Sequence, residues 1–287
     1  MEKSLRNLVF SASLTLAACA FAGPALADCS SLPNQAALKA ALTASITPGG
    51  PGGANGGLGF NSWATIVAND GTVCAVAFSG ANSASQFLGS RVNSAQKANT
   101  ANDFSVGLGG PPAGAVFPTG LALSSANLFS DAQPGGGLFG LEATNLLNTP
   151  AAYGDLGIPG LNPVDARTYG TPNDPMVGHR IGGISVLGGG LALFRGGVKV
   201  GGIGASGDTA CTDHMVAWRT RNKLGLDQLQ GVAGPLSGVD NAHPDNIIFD
   251  IVPNPAGGVG NSPSGFGHPT CLFNPSTAAL AALPAVH

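Results

Sequence analysis

The sequence predicts an α+β protein. Two hairpin signals, near residues 70 and 196, are each followed by a segment of helical spacing, and a further helical segment precedes the first hairpin. Hairpin strands pair antiparallel, so the expected core is an antiparallel sheet with packed helices. The two patterned regions flank a long Gly/Pro-rich stretch, about 105–180, and each is too small to bury a core alone. One domain over 28–287 is therefore expected, with an insertion at 105–180 and a coil tail from about 231.

In chain order, Lys3 and Arg6 lead into an apolar stretch from Leu8 to Ala22, closed by Ala25-Leu26-Ala27 before Asp28, the pattern of a secretory signal peptide over 1–27. Leu16-Ala17-Ala18-Cys19 offers the alternative of a lipoprotein anchor at Cys19. The run is too short for a lasting membrane span and no other run is long and apolar enough, so a periplasmic or secreted protein with no membrane span is expected. Losing Lys3, Arg6 and Glu2 with the signal moves the formal charge from −3 to −4, which argues against nucleic acid as a partner. With 45 glycines and 21 prolines against 9% charged residues, much of the chain must be turns.

Ser31-Leu32-Pro33 supplies a cap and a first-turn proline, and Leu38, Ala41, Leu42, Ser45 and Ile46 follow at helical spacing until Pro48. Residues 49–59 form a glycine linker. Trp63–Ala68 and Thr72–Phe78 flank Asn69-Asp70-Gly71 as a hairpin. Ser90–Phe104 reads as a helix with a small-residue face through Val92, Ala95 and Asn99. Leu191–Arg195, Gly196-Gly197 and Val198–Ala205 form the second hairpin, and Asp208–Leu224 a helix capped by Asp208 or Ser206, with Arg219, Arg221 and Lys223 toward its C-terminal end. In the tail, Ile247–Val252 could be a strand.

Four cysteines remain after the signal, Cys29, Cys74, Cys211 and Cys271, and an even number in an oxidising compartment implies two disulfides. Of three connectivities, Cys211–Cys271 with Cys29–Cys74 is preferred: the first pins the tail to a helix start, the second ties the first helix to the first hairpin.

Gly202-x-Gly204-x-x-Gly207 matches the written form of a dinucleotide-binding loop. That fold needs parallel βαβ units, whereas the strand before Gly202 is the second arm of a hairpin. The glycines are better explained by a tight strand-to-helix turn and by backbone packed on backbone. Asp208 and Asp213 further oppose an anion at the helix start.

GGLALFRGGVKVGGIGASG followed by Asp213-His214-Met215-Val216-Ala217 resembles the C-terminal signature of the GlcG/HbpS-like, or haem-degrading domain, family. SWATIVANDGTVCAVAFSG resembles that family's first hairpin and SRVNSAQKANTA its next helix, with Ser90, Arg91, Ala95, Lys97 and Ala98 at matching places. GLFGLEATNLLNTPAAYG and HRIGGISVLGGG are similar to its longer, secreted branch; Leu191-Ala192-Leu193 stands where proline or valine is common. The resemblance implies a profilin-like antiparallel sheet, assembly into homo-oligomers, and haem or related tetrapyrrole binding in some members. A ligand-free oligomer-forming module and an oxidative haem-degrading enzyme are the competing readings.

For haem iron, His214 is the first candidate because Met215, Val216 and Trp218 surround it with apolar bulk, followed by His268, His243 and His179. Arg91 and Lys97 could hold propionates or pair with an acid such as Asp213. Cys211-x-x-His214 and His268-x-x-Cys271 mirror each other as a zinc pattern, against which the disulfide competes; a bridge would make His214 and His268 neighbours. No G-x-S-x-G occurs and no paired carboxylates stand at informative spacing, so no catalytic set is legible.

Overall fold

The computed structural model describes residues 28–46, 53–110, 116–154, 165–235 and 240–287. The signal peptide over 1–27 with Cys19, and part of the glycine linker, lie outside the described residues. Four strands form one antiparallel sheet: β1 (Trp63–Ala68), β2 (Val73–Phe78), β3 (Gly190–Arg195) and β4 (Val198–Ser206), in the order β2-β1-β4-β3. Both hairpins form as expected. In the second, Gly196 and Gly197 both take positive φ, +56° and +77°, which a two-residue turn between right-twisted strands requires.

Both sheet faces are covered, which is why the strands read as almost continuous apolar runs. On one face Ala64, Ile66, Ala68, Ile203 and Ala205 pack with Leu38 and Leu42 of α1 (Gln35–Thr43) and with Met215, Val216 and Trp218 of α5 (Ala210–Lys223). On the other, Trp63, Val67, Val73 and Val76 meet Val92, Ala95 and Ala98 of α2 (Ser90–Phe104), joined by Ala152, Met176 and Ile181 from the middle of the chain.

The glycine loop is resolved by this layering. Gly202 and Gly204 pair with Val67 and Thr65 inside the sheet. A Cβ on Gly204 would lie 2.0 Å from the Ser94 carbonyl oxygen, and one on Gly202 would lie 2.3 Å from that of Ala98. These glycines therefore let α2 rest its backbone on the sheet. Backbone-on-backbone packing was expected, but with a different partner: the helix packed on them is α2, not the one that follows, and β4 is an interior strand.

Three other expectations change. The first helix begins at Gln35, where Asn34 Oδ1 accepts the Ala37 N–H at 3.0 Å; Ser31 lies in a 3₁₀ turn, Cys29–Ser31. Helix α5 is capped by Thr209, whose hydroxyl accepts from Thr212 N–H, while Ser206 ends β4 and the Asp208 carboxylate accepts the N–H groups of Leu58 and Phe60. Ile247–Val252 is no sheet strand: its Ile247 N–H donates to Asn246 Oδ1, and its pairing is a single bridge from Val252 to Asn261.

Among its described residues the middle stretch carries two short helices, α3 (Leu141–Thr144) and α4 (Thr149–Tyr153), with 3₁₀ turns at Ser125–Leu128 and Ala166–Thr168. It covers the edge of β2, where Val73 N–H donates to His179 O at 2.9 Å and Gly178 N–H to Val73 O at 2.9 Å. The tail ends in α6 (Thr277–Ala281). Disulfides join Cys29 to Cys74 and Cys211 to Cys271. Among the described residues no helix is long and apolar enough to cross a membrane.

Candidate functional site

Helices α2 and α5 each carry cations or acids on buried faces, a pattern that needs partners, because an unpaired buried charge is costly. Lys97 of α2 donates from Nζ to Asp213 Oδ2 of α5 at 2.7 Å, and both side chains are at most 3% exposed. The two helices approach at the start of β3, where three consecutive glycines remove the obstruction. A Cβ on Gly190 would sit 2.1 Å from Lys97 O; one on Gly189 would sit 3.1 Å from Lys97 Cδ and 3.0 Å from Asp213 Cβ; one on Gly188 would sit 3.3 Å from His214 Cβ.

His268 closes this corner from the tail. Its Nε2 accepts the Gly188 N–H at 3.3 Å and its Nδ1 donates to Pro269 O at 2.7 Å, which fixes one tautomer. His214 is fully buried, its ring 6.0 Å from that of Trp218. Its Nε2 lies 3.1 Å from Asn246 Oδ1 and 3.2 Å from Ile247 N, while its Nδ1 has no hydrogen-bond partner among the described residues. Because Ile247 N–H already donates to Asn246 Oδ1 at 2.8 Å, the tautomer that leaves no orphaned N–H carries its proton on Nε2. Nδ1 then holds a bare lone pair in the core.

Burial pushes both imidazoles down to about 4, with Lys97 adding to the effect at His268, and Arg221 and His268 adding to it at His214. Burial also raises the Asp213 carboxyl, and the Lys97 ammonium opposes that rise. Lys97, Asp213, His214 and His268, distant in sequence, thus share one electrostatic neighbourhood around Gly188–Gly190.

Arg91 does not join them. Its Nε donates to Asp174 Oδ2 at 2.8 Å and its Nη1 to Ala152 O at 2.7 Å, over the Tyr169 ring, so it clamps the middle stretch onto α2. Arg221 does the same for the tail, donating from Nη2 to Asp245 Oδ1 at 2.8 Å and from Nη1 to Ala192 O at 3.1 Å. Among the other histidines, His243 is held between Asp240 Oδ1 and Leu283 O, and His179 lies at the covered edge of β2.

Lys97, Asp213, His214 and His268 are all buried in this packing, and the disulfide occupies both sulfurs of the zinc pattern. An open cavity lies elsewhere. It has a volume of about 700 Å³ and is lined by Val116, Phe117, Leu229, Val232, Val286 and His287, among others. His287 is 64% exposed, and its Nδ1 lies 2.8 Å from Asp227 Oδ1, a carboxylate only 1% exposed that also accepts from Asn222 at 2.7 Å. The free edge of that imidazole is Nε2. The lining is mixed, with Gln230, Asp240 and Asn241 beside the apolar side chains, and its one carboxylate-oriented imidazole could ligate a metal centre. No sequence signal pointed to Asp174, Asp245 or His287, which lie in segments without periodicity, and Asp227 stood out only by its distance from the glycine loop, with no strand leading to it.

Fold and site together define a three-layer α+β protein with a buried polar corner and a separate open cavity. No family model and no curated protein matches the chain. Among solved structures it is similar to the Klebsiella pneumoniae protein ORFY, of family-model DUF336, at 17% identity and a TM-score of 0.37, covering 66% of this chain and 88% of that one. It is also similar to the PduOC:heme complex, at 20% identity and a TM-score of 0.38, covering 66% and 89%.

Proposed function

We propose that the chain is an exported small-ligand-binding protein of GlcG/HbpS-like type that takes a haem-like tetrapyrrole. The observation that carries this reading is the cavity of about 700 Å³ with His287 on its wall, backed by buried Asp227. That volume falls in the range of small-molecule sites. Asp227 holds the Nδ1 proton and so leaves Nε2 as the ligating atom, while Val116, Phe117, Leu229 and Val232 supply apolar contacts beside the polar Gln230, Asp240 and Asn241. Bound iron would supply the chromophore and any redox chemistry; the chain's own part is to bind and orient the ligand. Export agrees with the two disulfides, which persist in oxidising compartments. Arg91 and Lys97, spent on internal acids, are left out of ligand binding on this reading, and His214 and His268 serve the closed corner.

Absorbance titration with hemin tests it. A saturable Soret shift that is lost in His287→Ala and kept in His214→Ala supports the assignment. Loss in His214→Ala alone moves the ligand to the buried corner, and no saturable shift leaves the ligand-free, oligomer-forming reading in its place.

A further inference from the structure

The Cys211–Cys271 bridge hides a second arrangement of the same atoms. The Sγ atoms of Cys211 and Cys271 and a ring nitrogen of His268 all lie within 4.8 Å of one another. Ligand atoms around a tetrahedral zinc ion stand roughly 3.3–3.8 Å apart, so a small adjustment would suffice. One helical turn beyond Cys211, His214 lies outside that 4.8 Å set, and its buried Nδ1 has no hydrogen-bond partner among the described residues. His268 would ligate by giving up one of its two ring hydrogen bonds, to Gly188 N–H or to Pro269 O. Cysteine and histidine in this set select a soft or borderline divalent cation such as Zn²⁺ over Ca²⁺ or Mg²⁺.

We propose that the reduced chain carries a zinc-class site made of Cys211, Cys271 and His268, with the fourth position open to His214 or to solvent, and that the disulfide and the metal compete for the same two sulfurs. An external dithiol delivers two electrons and two protons to the bridge, breaking the S–S bond to give two thiols while its own sulfurs join as a disulfide. The cation then displaces both thiol protons to solvent and forms two metal–sulfur bonds. Cys271 is half-buried, which gives the reductant and the ion an edge to enter by. In either state the tail from residue 268 stays fastened to the start of α5, by a covalent bond or by a metal. The site is independent of the cavity proposed for the planar ligand.

The test uses the full exported chain with Co²⁺ as the spectroscopic probe, anaerobically, with a phosphine reductant. One equivalent of Co²⁺ should give thiolate charge-transfer absorption and the intense visible bands of four-coordinate cobalt, in the reduced chain only. His268→Ala should weaken Co²⁺ binding by at least about tenfold, the effect expected for a lost ligand. Alkylation followed by mass spectrometry serves where variants fold poorly. In the reduced, cobalt-loaded wild type, Cys211 and Cys271 should be protected and Cys29 and Cys74 modified. Absent thiolate bands, equal binding by the oxidised chain, weak six-coordinate spectra, or protection of Cys29 and Cys74 instead would each overturn the proposal.

Discussion

Replacing Gly204 by alanine places one methyl group where the sheet and α2 touch. The added carbon would lie 2.0 Å from Ser94 O and 2.6 Å from Ala98 N, both backbone atoms that no rotamer change can move. Relief requires α2 to lift by more than about 1 Å, since ordinary contacts begin near 3.4 Å. That lift breaks the Thr65–Ser94 hydroxyl bond of 2.7 Å and loosens Ala95 and Ala98, both fully buried. Overpacking typically costs about 1–3 kcal/mol. With rigid backbone as the obstacle, about 3 kcal/mol or more is expected, and at about 2–4 °C per kcal/mol for a domain of this size the Tm should fall by about 6–12 °C. Gly89→Ala is the control, because a Cβ there meets nothing within 4 Å, and its stability should stay within about 0.5 kcal/mol of wild type. Calorimetry of the oxidised protein reads both. A Gly204→Ala protein melting within about 1 °C of wild type, or a nucleotide that stabilises wild type and not the variant, would show that the glycine keeps space for a phosphate and not for a helix.

Asp174→Asn leaves Arg91 buried without its counter-charge and should cost about 3–5 kcal/mol; limited proteolysis should then cut within residues 149–176 earlier than in wild type, and an unchanged digestion pattern would contradict the clamp. His214 and His268 are held near 4 while the unfolded chain protonates near 6.5, so their contribution is complete above pH 6.5 and is lost as pH falls toward 4. Urea unfolding should show stability dropping across that window by up to about 3 kcal/mol per histidine, with a shallower fall in His268→Gln; equal stability at pH 7 and pH 5 would refute buried neutral rings. Removing the Cys29–Cys74 bridge, whose cysteines are 45 residues apart, should cost about 4 kcal/mol by loop entropy. A paired Cys29→Ser and Cys74→Ser variant with wild-type Tm would sink that expectation.

Much of the architecture was legible from local pattern. Asn69-Asp70-Gly71 and Gly196-Gly197 specify turns through backbone geometry alone, so both hairpins appear in the sequence and in the sheet. The spacing of Leu38, Ala41 and Leu42 marks α1 because one of its faces is apolar and buried. Helices α2 and α5 were harder, since they bury Arg91, Lys97, Asn102, Asp213, His214 and Arg221 among their apolar residues. Their cations looked free for a ligand because the acids that neutralise them lie far away in the chain.

The sequence by itself determined the α+β class, the hairpins, the main helices and the presence of two disulfides' worth of cysteine, because each depends on neighbours within a few residues. Only the tertiary structure decided that Gly204 serves α2, that Arg91 and Arg221 fasten the middle and the tail through Asp174 and Asp245, and that an imidazole at His287 stands at an open cavity. Those facts join residues across dozens of positions with no repeat between them. A buried charge finds its partner through space, and spacing along the chain carries no record of it.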